Sequence, residues 1–428
     1  MKHLFLNICL KFLFFQVIFF SFLYSQSQIQ WVKISFLGST PSCFAFKNNG
    51  EMFAGTLWGG VLKSTDGGYN WTSCSQGLPD GHIYSLAINR QGVMFAGTEY
   101  FGLYVSTNNG NFWQSTKLKI NKKIRSIVIN QDGVIFAGTD GHGIYKSTDG
   151  GWFWENFSAP ENINCMAVSD YGYIFAAAKL PHVLYMSTDE GLSWSAADSS
   201  EHAYNSVAAA PNGYIYAITG NLITDALLGD KLICSTDNGN SWNVQYSFAS
   251  SSYGMTINML NHIFIGKYQN VYMSTDGGSS FSVLSSGITH PNNEKIITLG
   301  CDSAGYVFLG QELGAVYRSV YPTIGIKKLS NEVPKDFRLY QNYPNPFNPS
   351  TTIKFEIPFS PFEGGKGDVK LVIYDISGKI IETLLDKEIY AGSYSADWNA
   401  YDFSSGIYFY SISVNGIISD TKKMILLK

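Results

Sequence analysis

An all-β chain is predicted: a seven-bladed β-propeller closed by its N-terminal strand, followed by an immunoglobulin-like β-sandwich. Three observations carry this. An eight-residue turn pattern recurs six times, each of four strand types occurs seven times, and the pattern changes after Ser319. The turn pattern is Ser-x-Asp-x-Gly-x-x-Trp. It begins at Ser64, Ser106, Ser147, Ser187, Ser235 and Ser274, with steps of 42, 41, 40, 48 and 39 residues. Its third position holds Asp66, Asn108, Asp149, Asp189, Asp237 and Asp276, and Phe281 replaces Trp in the last copy. An Asp that accepts bonds from nearby amides, a Gly that takes a positive φ and a Trp that anchors the returning strand make a hairpin turn. These six positions are therefore structural.

Each turn follows an apolar strand such as Leu103-Tyr104-Val105-Ser106. Before it come Val93 to Gly97 and, earlier, Ile83 to Ile88, while the Trp opens a fourth strand. One repeat is a four-stranded antiparallel meander. The Trp-led strand is displaced, since it starts the array at Trp31 and is missing after Ser319. A linear array would expose two sheet edges, whereas a ring hands the missing strand to the first segment. Trp31 to Ile34 is thus expected to complete the blade of Tyr306 to Ser319.

The turns resemble the Asp-box repeats of the sialidase-type (BNR) propeller superfamily. That superfamily also includes sortilin-type receptors, xyloglucan-cleaving glycosidases and a photosystem assembly factor. The resemblance implies the fold and leaves the activity open.

Residues 1–25 read as a signal peptide, with Lys2 before an apolar run and the small Ser25 at its end. An uncleaved anchor is the competing reading, because the run approaches the roughly 20 residues that span a bilayer. After signal removal no transmembrane segment is expected. The propeller is assigned to 26–322, a linker to 323–336 and the C-terminal module to 337–428. Cys43, Cys74, Cys165, Cys234 and Cys301 lack metal-ligand spacing. The repeat register is read as placing them on different blades, so no disulfide is expected.

In the C-terminal module, Tyr343-Pro344-Asn345-Pro346-Phe347-Asn348-Pro349 precedes strands at Val369 to Tyr374, Ile380 to Leu384, Tyr394 to Trp398, Gly406 to Ser413 and Lys422 to Leu427. Together with Tyr374 to Lys379, Ser405 to Tyr410 and Lys422 to Lys428, this run resembles the type A C-terminal sorting domain of the type IX secretion system of Gram-negative bacteria. The resemblance implies the secretion machinery as a partner, passage through the periplasm, and a secreted or surface location. The loop of Phe359 to Asp368 departs from that compact pattern.

The formal charge of −4 provides no basic face for nucleic acid. Antiparallel blades put the Asp boxes on one rim and the irregular loops on the other. The loop rim carries Trp58, Tyr100, Phe101, His142 and His182, the candidate binding face for an unknown protein or glycan. The sialidase resemblance would imply a cluster of three arginines; only Arg90, Arg125 and Arg318 lie in the repeats and Arg90 sits in a box-side turn, so a sialidase is not expected. A glycoside hydrolase is the enzymatic alternative, with Glu99 and Asp140 at equivalent strand ends. It would require carboxyls about 5–9.5 Å apart. No cofactor or metal is expected, and a monomer is the expected state.

Overall fold

The computed structural model describes residues 31–427 except 48, 80, 158–159, 199–202, 221–228, 250–251, 259–260, 291–293, 304, 321–326, 331–333, 349, 359–365 and 401–402. The signal-peptide segment 1–25 lies outside the described residues, as does most of the Gly220 to Lys231 loop. The described residues from Trp31 to Ser319 form seven four-stranded antiparallel sheets, an all-β, propeller-like arrangement. Sheet 2 sets the pattern, with Ile83–Ile88, Met94–Thr98, Leu103–Ser106 and Gln114–Ser115 pairing in succession. Sheets 1 and 3 to 6 repeat it from Pro41, Ile124, Ile163, Ala203 and Gly254. Sheet 7 contains Ile296–Cys301, Val307–Gln311 and Ala315–Ser319. Its fourth strand is Trp31–Phe36, with Trp31 opposite Ser319.

The second strand of each sheet is wholly buried, as in Ile135–Thr139 and Ile263–Lys267, because neighbouring sheets cover both its faces. Seven apolar clusters fill the spaces between sheets. Phe95, Leu103, Ile124 and Ile135 join sheets 2 and 3, and Ile34, Met52, Phe308 and Val316 join sheet 7 to sheet 1. The first strands touch in the same order, with Pro41–Phe46 meeting both Ile83–Ile88 and Ile296–Cys301. Fully burying one such Phe contributes roughly 1.5–3 kcal/mol. The packing order is therefore backed by energy as well as by contact.

The eight-residue turns have one geometry. In the copy at Ser235, the Ser235 hydroxyl donates to Asp237 Oδ1 at 2.8 Å and accepts from Gly239 N at 2.7 Å, while Ser241 N donates to Asp237 Oδ1 at 2.9 Å. Gly239 has φ +91°, and a Cβ there would lie 2.5 Å from Phe175 of the preceding sheet. The glycine is thus fixed twice, by its own turn and by its neighbour. Trp71, Trp154, Trp194 and Trp242 return an indole N–H to the carbonyl of their own turn glycine. Trp113 instead donates to Cys74 O of sheet 1 at 2.7 Å, and Trp31 donates to Leu284 O of sheet 6 at 2.9 Å. Both are almost fully buried. They bolt one sheet to the next.

Two sequence readings need correction. Cys43 and Cys74 belong to one sheet, on its first strand and just after its fourth, and share one apolar cluster. All five described cysteines are free thiols. Burial raises Cys43 and Cys234 to about 11 and Cys74 and Cys165 to about 12. The second correction concerns the expected linker 323–336. Its segment Lys327–Ser330 is a strand that pairs with Ser393 to Ser395, where its backbone gains ladder hydrogen bonds at a sheet edge.

The remaining chain forms two further four-stranded sheets. One contains Lys327–Ser330, Gly392–Asn399, Ser350–Ile357 and Arg338–Leu339; the other contains Ile380–Tyr390, Lys366–Tyr374, Gly406–Val414 and Ile417–Leu426. Ile353, Phe355 and Trp398 of the first share a core with Leu371, Ile373, Tyr410 and Ile412 of the second. Lys366 to Asp368, expected in a loop, belong to the strand that opens the second sheet.

Candidate functional site

In six of the seven sheets the first strand carries a bulge at one equivalent place. The skipped residues are Ser42, Tyr84, Arg125, Asn164, Asn205 and Ile297. A bulge re-aims one side chain without breaking the ladder for long. Five of the six are polar, and the bulge lies at the strand end nearest the loop rim. Asn164 Nδ2 donates to Tyr204 O of the next sheet at 2.9 Å, and Asn205 Nδ2 donates to Ser252 O at 3.2 Å.

The loops on this rim are clamped from below. Thr56, Thr98 and Thr139 end their second strands and donate to Gly60 O, Gly102 O and Gly143 O at 3.0, 2.7 and 2.7 Å. The same hydroxyls accept from Gly59 N, Phe101 N and His142 N. The tips are therefore held, and the side chains above them are presented rather than packed.

A continuous network crosses sheets 1 to 3. The Trp58 ring, 78% exposed, meets His82 edge to face at 4.1 Å. His82 Nδ1 lies 2.9 Å from Glu99 Oε2, and Lys123 Nζ lies 3.1 Å from Glu99 Oε1. Lys123 also donates to the Tyr84 hydroxyl at 3.0 Å and stands over the Tyr84 ring at 4.8 Å. Arg125 lies over the same ring at 5.9 Å and donates to Asp140 Oδ2 through Nη2 and Nε, at 2.7 and 3.1 Å.

Partial burial pushes the Glu99 carboxyl up. Bonds from Lys123 and Tyr100 and the charges of His82 and Lys123 outweigh it, and hold the group below its usual range. Burial likewise raises Asp140, and Arg125 above all, with Lys179 and Lys123, brings it down. A glycosidase acid needs a raised pKa to carry a proton at neutral pH. Both carboxyls here are stabilised in the ionised form.

The predicted residues divide. Trp58, Tyr100, Glu99 and Asp140 join the network, and Phe101, about half exposed, flanks it. His142 and His182 stand on the loops of sheets 3 and 4, outside it. Among the described residues no group of three His, Cys, Asp or Glu is placed to hold a metal. Arg318 lies over Tyr69 and Tyr306 at 5.1 and 4.5 Å, beside the turn of sheet 1, so it does not approach Arg125. Sequence reasoning missed Tyr84 and Lys123. For Tyr84, aligning the first strands offers the signal, because Tyr84-Ser85, Arg125-Ser126, Asn164-Cys165 and Asn205-Ser206 put a large polar residue at one register position.

Solved structures with this architecture include YCF48 bound to D1 peptide, 14% identical with a TM-score of 0.55, covering 69% of this chain and 97% of that one. A GH74 xyloglucanase from Xanthomonas campestris is 14% identical with a TM-score of 0.56, over 77% of this chain and 59% of that one. PorZ, an essential surface component of the type IX secretion system of Porphyromonas gingivalis, is 14% identical with a TM-score of 0.52, over 91% and 60%. This chain thus spans about 60% of the length of the last two. Such low identities establish the propeller-like fold alone. No curated protein matches the sequence. Residues 341–427 match the secretion system C-terminal sorting domain. The chain therefore ends in a type IX sorting tail and is a protein exported to the cell surface or released from it.

Proposed function

We propose that this is a signal-peptide-bearing, surface or secreted binding protein. In this reading residues 26–322 form a seven-bladed Asp-box propeller closed by Trp31–Phe36, and 337–428 an immunoglobulin-like sorting module reached through the periplasm. The loop rim binds a protein or glycan. One observation carries the binding role: held, exposed aromatic tips surround a charged network drawn from three sheets, Trp58 to Asp140. Neither regular packing nor the repeat requires such a network. A rigid scaffold with irregular loops is where binding groups concentrate.

Screening the secreted chain against a glycan array and surface-protein extracts tests the reading. Binding that Trp58→Ala and Lys123→Ala abolish supports it; binding that neither variant weakens overturns the assignment to this rim. Hydrolysis through Glu99 and Asp140 is the weaker reading, because both carboxyls are held as anions. Glycan hydrolysis lost in both Glu99→Gln and Asp140→Asn would restore it.

A further inference from the structure

The two ends of the sorting tail are joined. Phe347 N donates to Ile425 O, and Leu427 N donates to Phe347 O, both at 3.0 Å. Asn345 Oδ1 accepts from Ile425 N at 2.9 Å, and Gln341 Nε2 donates to Lys423 O at 2.7 Å. The outward edge of the last strand, from Lys423 to Leu427, is thus capped by the proline-rich run some 80 residues earlier in the chain. Phe347 is buried and lies 5.5 Å from the Trp398 ring, which anchors the cap in the core.

Of the two aromatic side chains in this run, Phe347 is buried and Tyr343 is left outside. Tyr343 is 82% exposed, more than any other large apolar side chain among the described residues. Its backbone is nonetheless pinned on both sides, donating to Thr352 O at 2.9 Å and accepting from Thr352 N at 3.0 Å. The preceding Asn342 is buried, and its amide donates to Thr351 Oγ1 and Pro344 O at 2.9 and 3.1 Å. Asn342 N in turn donates to the core Tyr410 hydroxyl at 2.8 Å. A rigidly held aromatic with no packing of its own is a preorganised anchor, and Tyr is among the residues that dominate interface energies. A sorting domain must present a surface to its receptor, and the matched residues begin at Gln341, inside this run.

We infer that Tyr343 is the anchor read by the outer-membrane export machinery, on a folded platform made jointly from residues 341–347 and 423–427. The signal is then the assembled patch rather than a linear C-terminal peptide. This deepens the sorting role of the tail and rests on it.

The full chain, expressed in its own organism, tests the inference by the ratio of exported to cell-retained protein. Tyr343→Ala should lower that ratio about ten-fold or more, as expected for loss of a central interface anchor, with an unchanged melting temperature. Tyr343→Phe should retain export. Ile376→Ala, removing a side chain 77% exposed elsewhere on the domain, should leave it unchanged. Wild-type export of Tyr343→Ala, or an equal defect in Ile376→Ala, overturns the inference. If Tyr343→Ala melts early, Tyr343→Gln decides by the same ratio. Deleting 337–428 separates the two levels: export without the tail would overturn the sorting role itself, whereas a block on deletion with normal export of the Tyr343 variants would overturn only the anchor.

Discussion

On the turn rim, Asp66, Asp189 and Asp237 bind donors of their own turns, whereas on the loop rim Glu99 and Asp140 bind side chains delivered from other strands. The first arrangement needs only eight consecutive residues, so it repeats with the sequence. For Glu99 the second needs the sheets to be docked, since Glu99 follows the second strand of sheet 2 and Lys123 precedes the first strand of sheet 3, while Arg125 and Asp140 meet through the pairing of the first two strands of sheet 3. Local bonds make the turns; longer-range ones make the loop-rim network. Substitutions on the two rims should therefore have opposite readouts, stability on one and binding on the other.

The largest effect is expected where a turn glycine meets a neighbouring sheet's backbone. Gly287 has φ +91°, and a Cβ there would collide with the carbonyl of Trp31, the residue that starts the displaced strand. Gly287→Ala combines backbone strain with that collision and should destabilise the repeat region by about 3 kcal/mol or more in urea unfolding. Gly133 has φ +84° but open space around it. Gly133→Ala should cost only about 1–2 kcal/mol, the conformational part alone. Equal costs at the two sites would mean that the Trp31 seam does not hold the array together.

Asp237→Ala should come next. It removes the acceptor for Ser235 Oγ, Ser241 N and Ser241 Oγ, and a lower melting temperature and urea midpoint are expected, with a smaller shift than for Gly287→Ala. Asp237→Asn should cost less, for a reason visible at Asn108. There an amide oxygen accepts from Ser106 Oγ and Phe112 N at 3.0 and 2.9 Å, and the seventh position is Phe112, which offers no side-chain donor. Where that position is Ser193, Ser241 or Ser280, its hydroxyl donates to the second carboxylate oxygen at 2.6 Å. Asn suffices where the seventh residue offers no side-chain donor and leaves a bond unmade where that residue is Ser.

The same bonds set a pH dependence. The Asn70 amide N–H and side chain hold Asp66 at about 2, and the Ser193 and Ser241 hydroxyls with their backbone amides do the same for Asp189 and Asp237. The ordinary value is 3.8, so the folded state binds the proton more weakly than the unfolded chain. Their stabilisation is complete above about pH 4 and is lost as the pH falls toward 2. Melting temperatures recorded across that window should fall, and Asp237→Asn should flatten the slope. An unchanged slope in that variant would remove the turn carboxylates from the account.

Much of this was legible in the sequence, and for one physical reason. The turns, the seven strand sets and the pairing of Trp31–Phe36 with Ala315–Ser319 follow from local chemistry repeated at a fixed period. The loop-rim network was only half legible. Glu99, Asp140, Tyr100 and Trp58 stood at recognisable strand ends, but the partner Tyr84 sits on a bulge, which appears in the register and not in the hydrophobic pattern, and Lys123 lies just before the first strand of the next sheet. Lys327–Ser330 was read as a linker because its partner, Ser393 to Ser395, lies more than sixty residues away.

The smallest stability effect, and the one that most directly separates the rims, is expected at Arg125 and Asp140. The pair is part-exposed, with side chains at 20% and 31%, so its net contribution to folding should be about 0–1 kcal/mol. Asp140→Asn keeps the shape and removes the charge that Arg125 faces, which frees the guanidinium to meet a ligand or leaves it misplaced. Either outcome changes ligand affinity while the unfolding curve stays put. Asp237→Asn, altering an aspartate of the other rim in the same way, should shift unfolding and leave affinity alone. If the two variants exchanged these behaviours, the division of labour between the rims would be wrong, because the non-local carboxylate would then be holding the fold and the local one the ligand.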